Sequence, residues 1–309
     1  MHDSVRTGTS RDRERYGLLR DEARRRLDDA IVASGLPEKL KEAIRYGSTG
    51  PEASRWRAVL VLEAGSVLGT APAATRSAAA AVEALHCATL SIDDLPSMDD
   101  ATQRRGQPAM HRRFNEAMAI QASLWLLGIS RTLMSNAAAE ARRDTDVART
   151  LAELQQRTED ELQLGQFMDL LGSLGKAEVD AERTARLKCG RLFALAAQAA
   201  AWLVPDRTGS PGMREELAAA LDRFGEEVGL AYQIKDDLDD LAEDGDAATW
   251  AGDGETGRPT VVAKHGVAAA HASIAECLKR AEAALGPLAR LGFDPTRLSR
   301  IAHAMLGRD

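Results

Sequence analysis

Alternation of β-branched residues is scarce along this chain. Its apolar positions fall in segments rich in Ala, Leu, Glu and Arg, punctuated by isolated Gly and Pro, a pattern that favours helices nearly everywhere. It predicts helices over 18–34, 37–47, 55–68, 73–95, 108–137, 140–172, 178–204, 211–243, 258–285 and 294–307. Turns are expected near Gly35, Gly69, Gly106, Gly175, Gly209 with Pro211, and Gly292 with Pro295. No strand is needed and no fixed-period repeat is apparent. Several of these helices are apolar over much of their circumference, so other helices must surround them. The expected fold is all-α: a large single-domain helical bundle over 16–309, preceded by a mobile arm over 1–15. One long irregular segment, EDGDAATWAGDGETGRP from Glu243 to Pro259, reads either as a lid or as a surface connection.

Composition narrows the function. With 309 residues, 44% of them hydrophobic, the chain can bury a sizeable core. A net charge of −7 and a pI near 5.5 give no reason to expect nucleic acid. The cysteines Cys87, Cys189 and Cys277 lie far apart with no metal or disulfide spacing, which suits a reducing, cytoplasmic location. Cys87 and Cys277 read as small buried residues. The charged N-terminus resembles neither signal peptide nor anchor, and the longest apolar run, Phe193 to Val204, is too short for a membrane span.

The chemistry lies in two acidic clusters, each ending an apolar helical run: DDLPSMDDATQRRGQP from Asp93 and GLAYQIKDDLDDL from Gly229. On a helix Asp236 and Asp240 fall ~40° apart with Asp237 beside them, so three carboxylates are expected to converge. Like charges at that spacing destabilise a helix unless solvent or a cation screens them. In the first cluster Asp93 and Asp99 would diverge on a straight helix, and Pro96 is expected to end or bend it and bring Asp99 round. Hard oxygen ligands of this kind suit Mg²⁺, which bridges one or two carboxylates to substrate phosphates. The competing explanation is scattered aspartates on solvated faces. Arg104 and Arg105, in a turn set by Gly106 and Pro108, supply planar donor forks that match a diphosphate, or else pair with the nearby aspartates. Together these parts describe a cavity that holds a diphosphate and helps it depart.

These residues resemble the trans-isoprenyl diphosphate synthases, the polyprenyl synthetase family that includes farnesyl and geranylgeranyl diphosphate synthases. EALHCATLSIDDLPSMDDATQRRGQPAMH is similar to the family's first aspartate-rich region, DDxxxxD followed by RRGxP and a histidine. YQIKDDLDD resembles the second, GQFMD from Gly165 matches a GQxxD element, and RLKCGRLF around Lys188 resembles the KTG segment. The similarity runs in order from about Ile44 to about Gly266.

The resemblance implies an all-α fold with a central cavity, in which Asp93, Asp94 and Asp99 face Asp236, Asp237 and Asp240 across three Mg²⁺. Arg104, Lys188 and Gln233 would assist an allylic diphosphate as it ionises. Arg57, His86 and Arg105 would bind isopentenyl diphosphate, and a homodimer is implied. A histidine satisfied by a neighbouring helix is the plainer reading of His86.

The chain departs from the family at several points. The family's GGKRxRP reads EASRWRA here, so Ser54 stands where a diphosphate-binding lysine is expected, and Arg55 is the candidate to compensate. A lysine usual after the second motif is missing, with Arg258 in a similar Gly-Lys-like step. Cys189 replaces a threonine, Ile92 a histidine, and Ser123 to Trp125 a Gly-Asp pair. Product length is set in the family below the first motif, where this chain has Ala88 and Thr89; neither is aromatic, which implies C20 or somewhat longer. Trp125 could set the floor instead, or simply pack in the core. Two further functions stay open: a same-fold terpene synthase or prenyltransferase that does without isopentenyl diphosphate, and a non-catalytic partner subunit.

Overall fold

The computed structural model describes residues 10–50, 53–142, 145–176, 178–205, 212–244 and 260–307. In chain order these form α1 (Ser10–Ala33), α2 (Glu38–Ser48), α3 (Trp56–Leu68), α4 (Pro72–Asp93), the two-residue strands β1 (Gln103–Arg104) and β2 (Gln107–Pro108), α5 (Met110–Arg113), α6 (Glu116–Glu140) and α7 (Thr145–Ser173). Then come α8 (Ala181–Ala185), a π-helical turn (Arg186–Gly190), α9 (Arg191–Trp202), α10 (Met213–Asp244), α11 (Val261–His265), α12 (Val267–Ala284), α13 (Gly286–Arg290) and α14 (Thr296–Met305). The all-α expectation holds, with β1 and β2 as a small antiparallel exception.

Contacts divide the chain into two compact units. Among the described residues the N-terminal unit comprises 10–153 with 202–205, and the C-terminal unit 154–201 with 212–307. In the N-terminal unit α4 is the inner helix, packed by α1, α2, α3 and α6. It starts with Pro72 in its first turn, where a missing N–H costs nothing, and its run of small side chains is fully buried from Ala78 to Ala81. Val82 and Leu85 on α4 and Leu126 and Leu133 on α6 are buried with them, each contributing about 1.5–3 kcal/mol. Helix α6 has the length and apolarity to cross a membrane, but its inward serines tie it to α4: Ser123 donates to the Ala88 carbonyl at 2.9 Å and Ser130 to that of Ala81 at 2.7 Å. In the C-terminal unit α10 is the spine, packed by α8, the π-helical turn and α11 to α13.

Several boundaries differ from the sequence expectation. Helix α1 begins at Ser10, because Arg15 pairs with the buried Glu63 and Tyr16 packs edge-on to Trp56, 5.6 Å between ring centroids. The segment over 108–137 breaks at Asn115, whose side chain caps α6 by accepting from the Met118 N–H at 2.8 Å. Gly266, at φ 81, separates α11 from α12. Arm residues 1–9 and loop residues 245–259, Arg258 among them, lie outside the described residues.

Candidate active site

In the N-terminal unit α4 ends on Asp93, and Pro96 prevents its continuation. The chain turns back so that the Asp99 N–H donates to the Asp93 carbonyl at 2.9 Å, closing the backbone of the motif between its first and last aspartates. The hairpin that follows has Arg105 and Gly106 as its two loop residues, at φ 54 and 71, the positive pair of a type I′ turn. This conformation divides the two arginines. Arg104, on β1, donates from Nε and Nη2 to Oδ1 of Asp94, which is 2% exposed. Arg105 lies within 3.6 Å of the Glu83 carboxylate and 3.8 Å of the Cys87 sulfur, two side chains one turn apart on α4. A cleft beside the hairpin is lined by Gly50, Ala53, Leu90, Asp94, Arg104 and Arg105. Burial, then the neighbouring Glu83, pushes the Cys87 thiol up to about 12, so it is an inert group here.

Arg57 donates to Nε2 of His86 at 3.1 Å. Arginine can only donate, so Nε2 accepts. Burial, and then the charges of Arg57, Arg105 and Arg104, hold His86 well below its ordinary range and therefore neutral. The partner of His86 on a neighbouring helix is thus another candidate site residue.

Arg55 is corrected. It was expected to stand in for the lysine absent at Ser54, but it is 3% exposed and donates to the carbonyls of Ala53, Ser48 and Gly50 at 3.3, 3.1 and 2.6 Å. Its Nε lies 3.7 Å from Glu83, and its own backbone is left-handed at φ 48. The guanidinium is thus buried and spent on backbone carbonyls and Glu83. Ser54 is exposed with no cation in its place.

Ala88 is buried at 2%, and the Thr89 hydroxyl donates to the His86 carbonyl at 2.8 Å. Trp125 is also corrected: at 44% exposed, next to Leu124 at 55%, it is not packed in the core.

In the C-terminal unit Lys188 sits in the π-helical turn and donates to Asp169 of the GQFMD element at 2.6 Å. The turn is held by backbone approach. A Cβ on Gly165 of α7 would lie 2.7 Å from the Lys188 nitrogen, and one on Gly229 of α10 would lie 2.7 Å from the Gly190 Cα. Ionic pairs flank these contacts. Arg186 reaches Glu226 and Glu227 of α10 at 3.2 and 3.1 Å, while Arg191 reaches Glu161, Asp222 and Glu226 at 2.7, 3.1 and 3.0 Å. Gln233 donates to Asp237 at 2.9 Å, and Asp237 is 7% exposed. The expected second triad, Asp236, Asp237 and Asp240, lies along one helix. They share α10, but among the described residues no three His, Cys, Asp or Glu groups gather closely enough to hold a metal by themselves. Asp240 is exposed while Asp237 turns inward to Gln233, a split that relieves their repulsion.

Two residues were missed as site candidates. Asp169 could have been found as the carboxylate of GQFMD, and Glu83 as the one charge inside AAAAVEALHCATLSI.

The polyprenyl synthetase family profile matches residues 37–288. This chain is a member of the polyprenyl synthetase family. It is similar to farnesyl diphosphate synthase of Escherichia coli K12, 32% identical over 274 residues that cover 87% of this chain and 89% of that protein. It is equally similar to geranylgeranyl diphosphate synthase of Cereibacter sphaeroides, 32% identical over 267 residues that cover 83% and 86%. The crystal structure of geranyltranstransferase from Thermotoga maritima superposes with a TM-score of 0.74 at 26% identity, covering 94% of this chain and 96% of that one. The synthase is thus a prenyltransferase of the trans-prenyl diphosphate type.

Proposed function

We propose that the synthase condenses isopentenyl diphosphate with an allylic diphosphate to give an all-trans product of C20 or close to it. The observation that carries this reading is the division of the hairpin arginines: Arg104 lies on the aspartate motif and Arg105 on the His86 side of α4. Two anions are then addressed by different cations. The family resemblance assigns Arg104, Lys188 and Gln233 to the allylic diphosphate. Arg57 and Arg105 hold isopentenyl diphosphate, and neutral His86 orients Arg57. The allylic C1–O bond breaks, the isopentenyl double bond attacks C1 through its C4, and the proton lost from C2 leaves with pyrophosphate. Small, buried Ala88 supports a C20 product, since no bulky side chain stands at that position. The exposed apolar face of α6, with Ile120, Leu124 and Trp125, supports a homodimer.

The donor set fits Mg²⁺. Hard carboxylate oxygens occur in each motif, and Mg²⁺ usually takes only one or two protein carboxylates together with waters and substrate phosphates, so a closed three-ligand cage is not required. Asp93, Asp94 and Asp99 with Asp236, Asp237 and Asp240 would hold it, three ions in all. It would neutralise charge building on the departing pyrophosphate.

One observation favours a second reading. Ser54 carries no cation and Arg55 is buried, so the isopentenyl side is poorer in charge than the family pattern, as in an enzyme that ionises an allylic diphosphate without this co-substrate. Incubation with Mg²⁺ and geranyl or farnesyl diphosphate, with and without isopentenyl diphosphate, separates the two by mass spectrometry of the products. Strict dependence on isopentenyl diphosphate is expected. Products formed from the allylic substrate alone would replace the first reading with the second.

A further inference from the structure

We propose that Glu83 is a positioning residue for the isopentenyl diphosphate side, holding the guanidinium of Arg105 in the orientation that receives the anion. The inference rests on the functional reading above. Glu83 is fully buried on α4, and its Oε2 has no hydrogen-bond partner. Its Oε1 lies near Arg55 Nε at 3.7 Å, Arg105 Nη2 at 3.6 Å and Cys87 Sγ at 3.7 Å. An apolar side chain of this shape would suit a helix core better than a half-satisfied carboxylate does. The charge therefore has a purpose other than stability.

Arg105 supplies that purpose. Its backbone is held left-handed at φ 54, a conformation that a long side chain adopts only when its surroundings enforce it. Both of its terminal nitrogens are engaged on one face of α4, Nη2 by Glu83 and Nη1 by Cys87, and its side chain remains 20% exposed. His86, one residue before Cys87, carries Arg57 beside them. Arg55 completes the device. With Arg55, Glu83 and Arg105 together the local sum is one positive charge, so the anchor does not cancel the cation it aims.

Two variants test this. Glu83→Gln keeps the shape and removes the anchor, and local electrostatics alone would then lower KM for isopentenyl diphosphate. Positioning requires the opposite, a rise of roughly tenfold or more, with kcat and the allylic KM nearly unchanged. Glu83→Gln with Arg55→Met leaves no buried unpaired cation and preserves the local sum of charge, at the cost of the donors to the Ala53, Ser48 and Gly50 carbonyls. The same rise in KM is expected there, with native helix content by circular dichroism. A KM at or below the wild-type value in either folded variant overturns the inference while the functional reading stands. A wild-type protein that consumes no isopentenyl diphosphate overturns both.

Discussion

The two units hold Lys188 and Arg105 by different means. In the C-terminal unit the turn that carries Lys188 is fixed through backbone: Gly165 and Gly229 let α7 and α10 lie against it, partly exposed ion pairs from Arg186 and Arg191 flank the contact, and the ammonium at its tip pairs with Asp169. In the N-terminal unit Arg105 is fixed through charge, by a carboxylate sealed in the core with a second arginine. Backbone contact tolerates no added atom but is indifferent to pH and salt. A buried charge tolerates changes of shape poorly matched by backbone, but fails as soon as a partner is lost. The comparison teaches that substitutions of size should damage the Lys188 side, and substitutions of charge the Arg105 side.

The largest expected effect comes from the aspartate motifs. Asp93→Ala and Asp236→Ala should each lower turnover by roughly a thousandfold or more. Neither side chain is fully buried, so helix content should stay close to the wild type. Near-normal turnover in either variant, measured with saturating Mg²⁺, would remove that aspartate from the reaction.

Next in size is Gly229→Ala. Alanine is the better helix former by about 1 kcal/mol. Its Cβ would however meet the Gly190 Cα at 2.7 Å and the Phe193 Cβ at 3.0 Å, and backbone cannot yield as a flexible side-chain end can. Overpacking of this kind costs about 1–3 kcal/mol, so a net loss of stability is expected. With the turn displaced, the allylic KM should rise more than the KM for isopentenyl diphosphate. Equal changes in both would show that Lys188 is not what this glycine contact positions.

Much of this was legible in the sequence. The helices were, because Ala-rich runs such as Ala78 to Ala81 leave few other solutions, and the two aspartate motifs carried the resemblance to the family that the profile match bears out. What was hidden depends on where a side chain turns after the backbone is set. Arg55 and Arg57 are two residues apart and look equivalent, but a left-handed backbone at Arg55 sends it into the core. Trp125 reads as a core residue by type and lies on the open face of α6. The π-helical turn at Lys188 has no local propensity signal. It follows from glycines on α7 and α10, far apart along the chain.

The smallest effect separates the units by pH. His86 is held neutral by burial and by three arginines, so its folded value lies well below the ordinary 6.5. As pH falls through 6.5 the unfolded chain takes a proton that the folded one refuses, and stability drops until the depressed folded value is reached. In the C-terminal unit burial alone would raise Glu227, but hydrogen bonds from Arg280 and Arg186 bring it below its ordinary 4.5. Its contribution is intact above 4.5 and is lost only as pH falls through the folded value. Between about pH 7.5 and about pH 5.5 the wild type should therefore lose roughly 1 kcal/mol more than His86→Gln does, while Glu227→Gln should track the wild type in slope. Thermal midpoints across this range read the difference. Parallel curves for the wild type and His86→Gln would mean that burial and the surrounding arginines do not keep His86 neutral, and the contrast between the two units would then hold for shape alone.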